Sequence, residues 1–208
     1  MDLPTDTMPT EHLIPDAIRA LYRVREWRNA AGVLATACPE EWADILAVLS
    51  GFRLLRSEIL AAGGGLSPVS RRVDAAFRAR GWRERRFETR IKVDATEFSS
   101  PTHAVDCFKG RVALELEWAN KDTFFDRDLN NFRLLFDLRV IDLGVILTRD
   151  ASLRSIFARL GKSASYGAST TQHEKLWPKL EGGGGGGCPV LTFAITPELY
   201  LDDSGAAG

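Results

Sequence analysis

The run Val105–Trp118, VDCFKGRVALELEW, constrains the fold more than any other part of the chain. Val112, Leu114, Leu116 and Trp118 alternate with Ala113, Glu115 and Glu117. That period of two predicts a strand with one buried face. Lys109-Gly110 marks a tight turn ahead of it. With those two residues as the loop of a hairpin, Phe108 pairs with Arg111, Cys107 with Val112 and Asp106 with Ala113. Asp106 then falls on the same face as Glu115 and Glu117, diagonal to Glu115. Diagonal neighbours lie about 7–8 Å apart, so their side chains can converge on one point. A loop of odd length would turn Asp106 to the other face.

Three carboxylates on one patch repel each other, and a cation between them offsets the repulsion. Their hard oxygen atoms suit magnesium, which completes its octahedron with water and phosphate oxygens. The alternative is a solvated strand face on which glutamate is ordinary and no metal binds.

The 208 residues suit one domain, or one domain with a helical extension, and a hydrophobic share of 45% supplies a core. A net charge of −1 excludes a molecule that is basic overall. The charge is uneven, however. Between Arg71 and Lys92 there are nine basic residues against three acidic ones, which fits either a phosphate-contacting face or a solvated helix. Cys38, Cys107 and Cys188 form no close pair, so a reducing compartment is expected. With three scattered histidines, His12, His103 and His173, they argue against a zinc site. The acidic, polar N-terminus reads as no signal peptide and no run has the length of a membrane span, so the expected location is cytoplasmic.

Along the chain, Met1–Glu11 reads as frayed, and Asp16 as the cap of a helix through about Ala31. Pro39, Glu40 and Glu41 open a helix with Trp42, Ile45, Leu46 and Leu49 inward. Phe52–Ala62 continues as helix after Gly51, and Gly63–Pro68 reads as a hinge whose Ser67 caps the next helix, to about Arg80. Phe87–Val93 is a candidate strand and Glu97–Thr102 a loop. After the hairpin, Asp126 or Asp128 is expected to cap a helix, followed by a strand at Ile141–Thr148, a short helix at Leu153–Leu160 and a polar loop at Gly161–His173. The six glycines Gly182–Gly187 read as a disordered run before a last strand at Val190–Thr196. Together these predict a mixed α/β domain.

Asp106, eight intervening residues and Glu115-Leu116-Glu117 resemble the PD-(D/E)XK nuclease core. The longer stretches RGWRERRFETRI, SPTHAVD, GRVALELEW, NKD and FDRDLNNFRLLFDL are similar to type II restriction endonucleases of the BglII/BstYI kind. The resemblance implies an α/β fold with a mixed central sheet flanked by helices, a nuclease core over 63–208, and a helical N-terminal region over 1–62 that is a candidate dimerisation surface. It implies a magnesium-dependent enzyme, with manganese able to substitute, that cuts double-stranded DNA at a short palindrome containing GATC. It also implies a homodimer and a cognate DNA methyltransferase in the same system.

Asp106, Glu115 and Glu117 are the implied catalytic residues, with Asp106 and Glu115 holding the metal. Where the family often has lysine or glutamine this chain has Glu117, which removes a cation beside the attacking water and adds a negative charge. Glu58 is a candidate outer carboxylate. Asn120, Lys121 and Arg133 are candidate DNA contacts, as are Tyr166, Ser169, Thr170, Thr171 and Gln172 in the polar loop, whose amide and hydroxyl groups suit base edges. Two alternatives stay open: a repair or phage-associated nuclease of the same fold without sequence specificity, and a DNA-binding module that has lost catalysis.

Overall fold

The computed structural model describes residues 8–62 and 65–205. The chain before Met8, Gly63 and Gly64 of the expected hinge, and residues 206–208 lie outside the described residues. The helices are α1 (Asp16–Arg19), α2 (Ala30–Ala37), α3 (Pro39–Gly51), α4 (Arg56–Leu60), α5 (Pro68–Arg78), α6 (Phe124–Asp137), α7 (Arg154–Arg159) and α8 (His173–Glu181). The strands are β1 (Tyr22–Trp27), β2 (Leu54–Leu55), β3 (Arg83–Arg85), β4 (Glu88–Val93), β5 (Thr96–Pro101), β6 (Val105–Lys109), β7 (Val112–Leu116), β8 (Leu143–Arg149), β9 (Val190–Ile195) and β10 (Tyr200–Leu201).

A six-stranded sheet in the order β1-β9-β8-β7-β6-β3 organises the molecule. Its middle is parallel, with β7 on β8 and β8 on β9, and its outer pairs are antiparallel. Parallel strands joined through helices are covered on both faces, and β7, β8 and β9 are buried at every position. One face packs Val112, Leu114, Val145 and Phe193 against Leu34, Ile45 and Phe77 of α2, α3 and α5. The other packs Ala113, Ile146 and Val190 against Phe125, Leu129 and Phe132 of α6 and Leu176 of α8. No helix among the described residues is long and apolar enough to cross a membrane.

Residues 8–62 are largely helical, yet they also supply the sheet's edge strand. The expected helix from Asp16 to Ala31 gives way to β1 after one turn. Arg28 and Asn29, both with positive φ, end that strand, and the buried Glu26 accepts the N–H groups of Thr10 and Ala31. The expected continuous helix over Phe52–Ala62 is interrupted by β2, which pairs with β10.

Glu97–Thr102, expected as a loop, is largely strand β5, which pairs with β4 in a ribbon separate from the main sheet. Alternation there was masked by Ser99, Ser100 and Pro101. The polar loop ends in α8, a helix with Pro178 inside it. The six glycines form a set of turns joining α8 to β9, with Gly185 buried. Close packing explains their kind: a Cβ on Gly184 would come within 2.9 Å of the Lys179 carbonyl oxygen, and Gly183 has φ +87°.

Candidate active site

The hairpin forms with a different pairing from the one the turn signal suggests. Cys107 pairs with Leu114, Phe108 with Ala113 and Lys109 with Val112. The loop is therefore Gly110-Arg111, with φ +52° at Gly110. Each residue of β6 meets a partner two places further along β7 than expected. A shift of two preserves the face, so Asp106 still lies with Glu115 and Glu117. Extending the register by one step sets Asp106 opposite Glu115. The Asp106 N–H donates to Glu115 Oε2 at 3.3 Å, and the Leu116 N–H donates to Asp106 Oδ2 at 3.2 Å.

The solvated strand face expected for the glutamates is absent, because α6 covers it. Glu115 and Glu117 are each 1% exposed, and so is Asp128 in the middle of α6. Asp126 or Asp128 was expected to cap this helix, but the N-cap position belongs to Thr123. Helical periodicity carries Asp128 inward beside Leu129 and Phe132.

Asp128 Oδ1 accepts from Arg127 Nε at 2.9 Å and Nη2 at 2.7 Å, while its Oδ2 has no hydrogen-bond partner. Arg127 Nη2 also reaches Glu117 Oε1 at 3.4 Å, and the Asn120 amide donates to Glu117 Oε2 at 2.9 Å. Burial and the adjacent Asp128 carboxylate push the Glu117 pKa up to about 9. Burial, then Asp128 and Asp106, hold Glu115 well above the carboxylate range. Asp106 keeps a solvent-facing side, yet the protein packed around its carboxylate raises it as well.

A cleft of about 370 Å³ opens over this centre, walled by Ser67, Asp74, Asp106, Glu117, Asn120 and Arg127 among others. Asp74, on α5, was not singled out in the sequence. Its acidity is lowered to a pKa of about 6 by burial and by the nearby Asp106. The sequence signal for it was its place among inward-facing residues of an otherwise basic helix. Arg127 and Asp128 carried no signal beyond a charged pair inside an amphipathic helix.

The other predicted site residues are dispersed. Glu58 lies at a neighbouring cleft and accepts two bonds of 2.7 Å from Arg72. Lys121 and Ser169 are exposed, and Lys121 bridges to Thr170 across the loop. Thr171 and Gln172 are buried: the Thr171 hydroxyl donates to the Glu117 carbonyl at 3.2 Å, and Gln172 accepts from Arg154 at 2.9 Å. Tyr166 stacks on Phe157 with centroids 4.1 Å apart. Arg133, on the outer part of α6, runs past Gly186 and is 4.0 Å from Asp137.

The buried Arg149 ties the loop to the catalytic strand. Its Nε donates to the Trp118 carbonyl at 3.1 Å, and its Nη2 donates to the Tyr166 carbonyl and the Thr170 hydroxyl. Desolvation lowers its pKa to about 10.

Asp106, Glu115, Glu117 and Asp128 offer hard oxygen donors, and the Asp128 Oδ2 left without a donor, together with the raised pKa values, marks a deficit of positive charge. That chemistry fits a divalent cation. As they stand the side chains are not closed around one point: among the described residues no three acidic, imidazole or thiol groups converge in a ligating cluster.

A mixed sheet covered on both faces, with an Asp and two Glu carried on one hairpin beneath a polar cleft, is the architecture of a PD-(D/E)XK nuclease core. The profile of the restriction endonuclease BglII/BglIII family matches residues 22–195. The chain belongs to that family and is a type II site-specific deoxyribonuclease. The match begins at β1 and so takes in residues 22–62 of the N-terminal segment. No curated protein matches the chain.

Proposed function

We propose that this nuclease cleaves both strands of a short palindromic DNA site, one containing GATC, as a magnesium-dependent homodimer. The observation that carries the reading is the set Asp106, Glu115 and Glu117 on one face of the hairpin, with both glutamates buried and Asp106 open to the cleft. Asp106 and Glu115 would hold the cation, with Mn²⁺ able to replace Mg²⁺. A divalent ion there supplies charge stabilisation to the phosphate under attack.

The protein's own groups do the rest. Glu117, held by the Asn120 amide on one oxygen, orients the attacking water; a bound divalent ion would favour its ionised form over the protonated one of the free protein, and in that form it takes the water's proton. The water oxygen bonds to phosphorus and the bond to the departing sugar oxygen breaks. The departing sugar oxygen takes a proton from solvent, which leaves a phosphate monoester on one end and a hydroxyl on the other. Asn120, Lys121 and Ser169 lie where the strand and loop ends meet and contact the DNA. Thr171 and Gln172 act from inside, fixing that loop. Glu58 and Arg133 stand further off, and Asp74 is the outer carboxylate in the cleft. Twofold symmetry between two copies matches a palindrome; the segment 1–62 is the candidate contact, and a cognate methyltransferase would protect host sites.

Purified protein with plasmid and Mg²⁺ should give discrete bands, whose sequenced ends define the site. A smear or junction-only cutting would favour a structure-specific nuclease. Retention of DNA in Ca²⁺ with no cutting in Mg²⁺ or Mn²⁺ would favour a binding module. Asp106→Ala and Glu115→Ala should each abolish cleavage while leaving the circular dichroism spectrum intact; an active Asp106→Ala enzyme refutes the site assignment. Glu117→Gln should slow single-turnover cleavage by a smaller factor.

A further inference from the structure

The acidic centre gathers more carboxyl groups than cations. Glu115, Glu117 and Asp128 are each 1% exposed. Among the described residues, the one cation forming ion pairs with these three is Arg127. The other donors here are neutral: the Asp106 N–H to Glu115, the Asn120 amide to Glu117, and the Leu116 N–H to the adjoining Asp106.

Arg127 is not built into the core as a permanent partner. Its side chain is 28% exposed, lines the cleft and lies over the Phe124 ring at 4.3 Å. Its grip is uneven. Both bonds to Asp128 are short, 2.7 and 2.9 Å, whereas the contact with Glu117 is 3.4 Å. The weaker contact is the one made to a residue of the proposed catalytic set. A guanidinium in that place stands where positive charge is needed, and it opposes any second positive charge that enters.

We propose that Arg127 is the internal counter-cation of the acidic centre, which must yield Glu117 before a divalent ion binds. It is a positioning residue that competes with the metal and sets how tightly the free enzyme takes it. This rests on the metal-binding reading above. It also explains why the carboxylates stand apart in the free chain: Arg127 engages Glu117 and Asp128, while backbone N–H groups engage Asp106 and Glu115.

The test is Mn²⁺ binding without DNA, followed by electron paramagnetic resonance, for the wild type, Arg127→Gln, Arg127→Lys and Glu115→Gln. Removing a unit charge a few ångströms from a divalent ion should tighten binding on the order of tenfold. Arg127→Gln is therefore expected to bind Mn²⁺ more tightly, and Arg127→Lys, which keeps the charge, to stay close to the wild type. A side chain serving structure alone would leave the affinity unchanged or weaken it.

Equal or weaker binding by Arg127→Gln, with binding lost in Glu115→Gln, overturns this inference and leaves the metal site standing. No Mn²⁺ binding by the wild type overturns both. If Arg127→Gln does not fold, the Arg127 Nε–H resonance of the wild type, assigned through Arg127→Lys, decides the matter. It should shift as Mg²⁺ saturates the protein; an unmoved resonance at saturation overturns the proposal.

Discussion

At Asp150, just beyond β8, a carboxylate is buried at 1% exposure and fully engaged. It accepts from the Ser152 N–H at 2.9 Å, from the Ser152 hydroxyl, and from Arg23 Nε. Burial alone would raise its pKa, but these donors together with the Arg23 charge hold it below the usual 3.8. A depressed carboxylate contributes stability above its unfolded pKa and loses it as pH falls through the folded one, so the loss falls below about pH 4. Asp150→Asn should cost about 1–3 kcal/mol at neutral pH and flatten the acid limb of urea-unfolding stability; an unchanged acid limb would dismiss the role. The carboxylates of the site behave oppositely, because burial first, and then the neighbouring carboxylates, oppose their charge. In a chelator at neutral pH, Glu117→Gln should unfold at higher urea than the wild type, by about 1–3 kcal/mol, while cleaving more slowly. A less stable Glu117→Gln protein would show that the site is not under electrostatic load.

Helix α6 matters as an element because it converts a strand face into a buried site. It rests on β8 where Gly144 leaves room: a Cβ there would lie 2.2 Å from the Phe132 ring. Gly144→Ala should destabilise the protein by about 1–3 kcal/mol through overpacking. It should also lower cleavage, since the same helix carries Arg127 and Asp128 over the hairpin. Wild-type stability in a denaturant melt would contradict that packing. The β4–β5 ribbon is a second element with a clear expectation. It pairs with no strand of the main sheet and carries exposed Arg90 and Lys92. If it follows the DNA backbone, replacing both with alanine should reduce the salt slope of binding by about two; an unchanged slope places the ribbon off the DNA.

For the molecule as a whole, the sheet is a single cooperative core with its thiols inside. Cys38, Cys107 and Cys188 are free and buried on different elements, and burial raises the pKa of each thiol. None should react with a thiol reagent in the native state, and all three should become reactive together at the rate of global unfolding. Early labelling of one cysteine would reveal a subdomain that opens by itself. Expected and observed architecture agree in the hairpin, α3, α5, β8 and β9, where periodicity or a cap was strong. They differ at β1, β5 and α8. There the deciding contacts come from far along the chain: β1 becomes a strand because Tyr22–Trp27 pairs with Val190–Ile195.

By itself the sequence determined the hairpin and the shared face of Asp106, Glu115 and Glu117, because side-chain direction along a strand depends on parity alone and survives a pairing shift of two. It also carried the family, through runs of residues long enough to be specific. Only the tertiary structure decided that this face is buried and that Asp74, Arg127 and Asp128 join it. Local periodicity says which side of an element is apolar; it does not say which charged side chains another element will press against it.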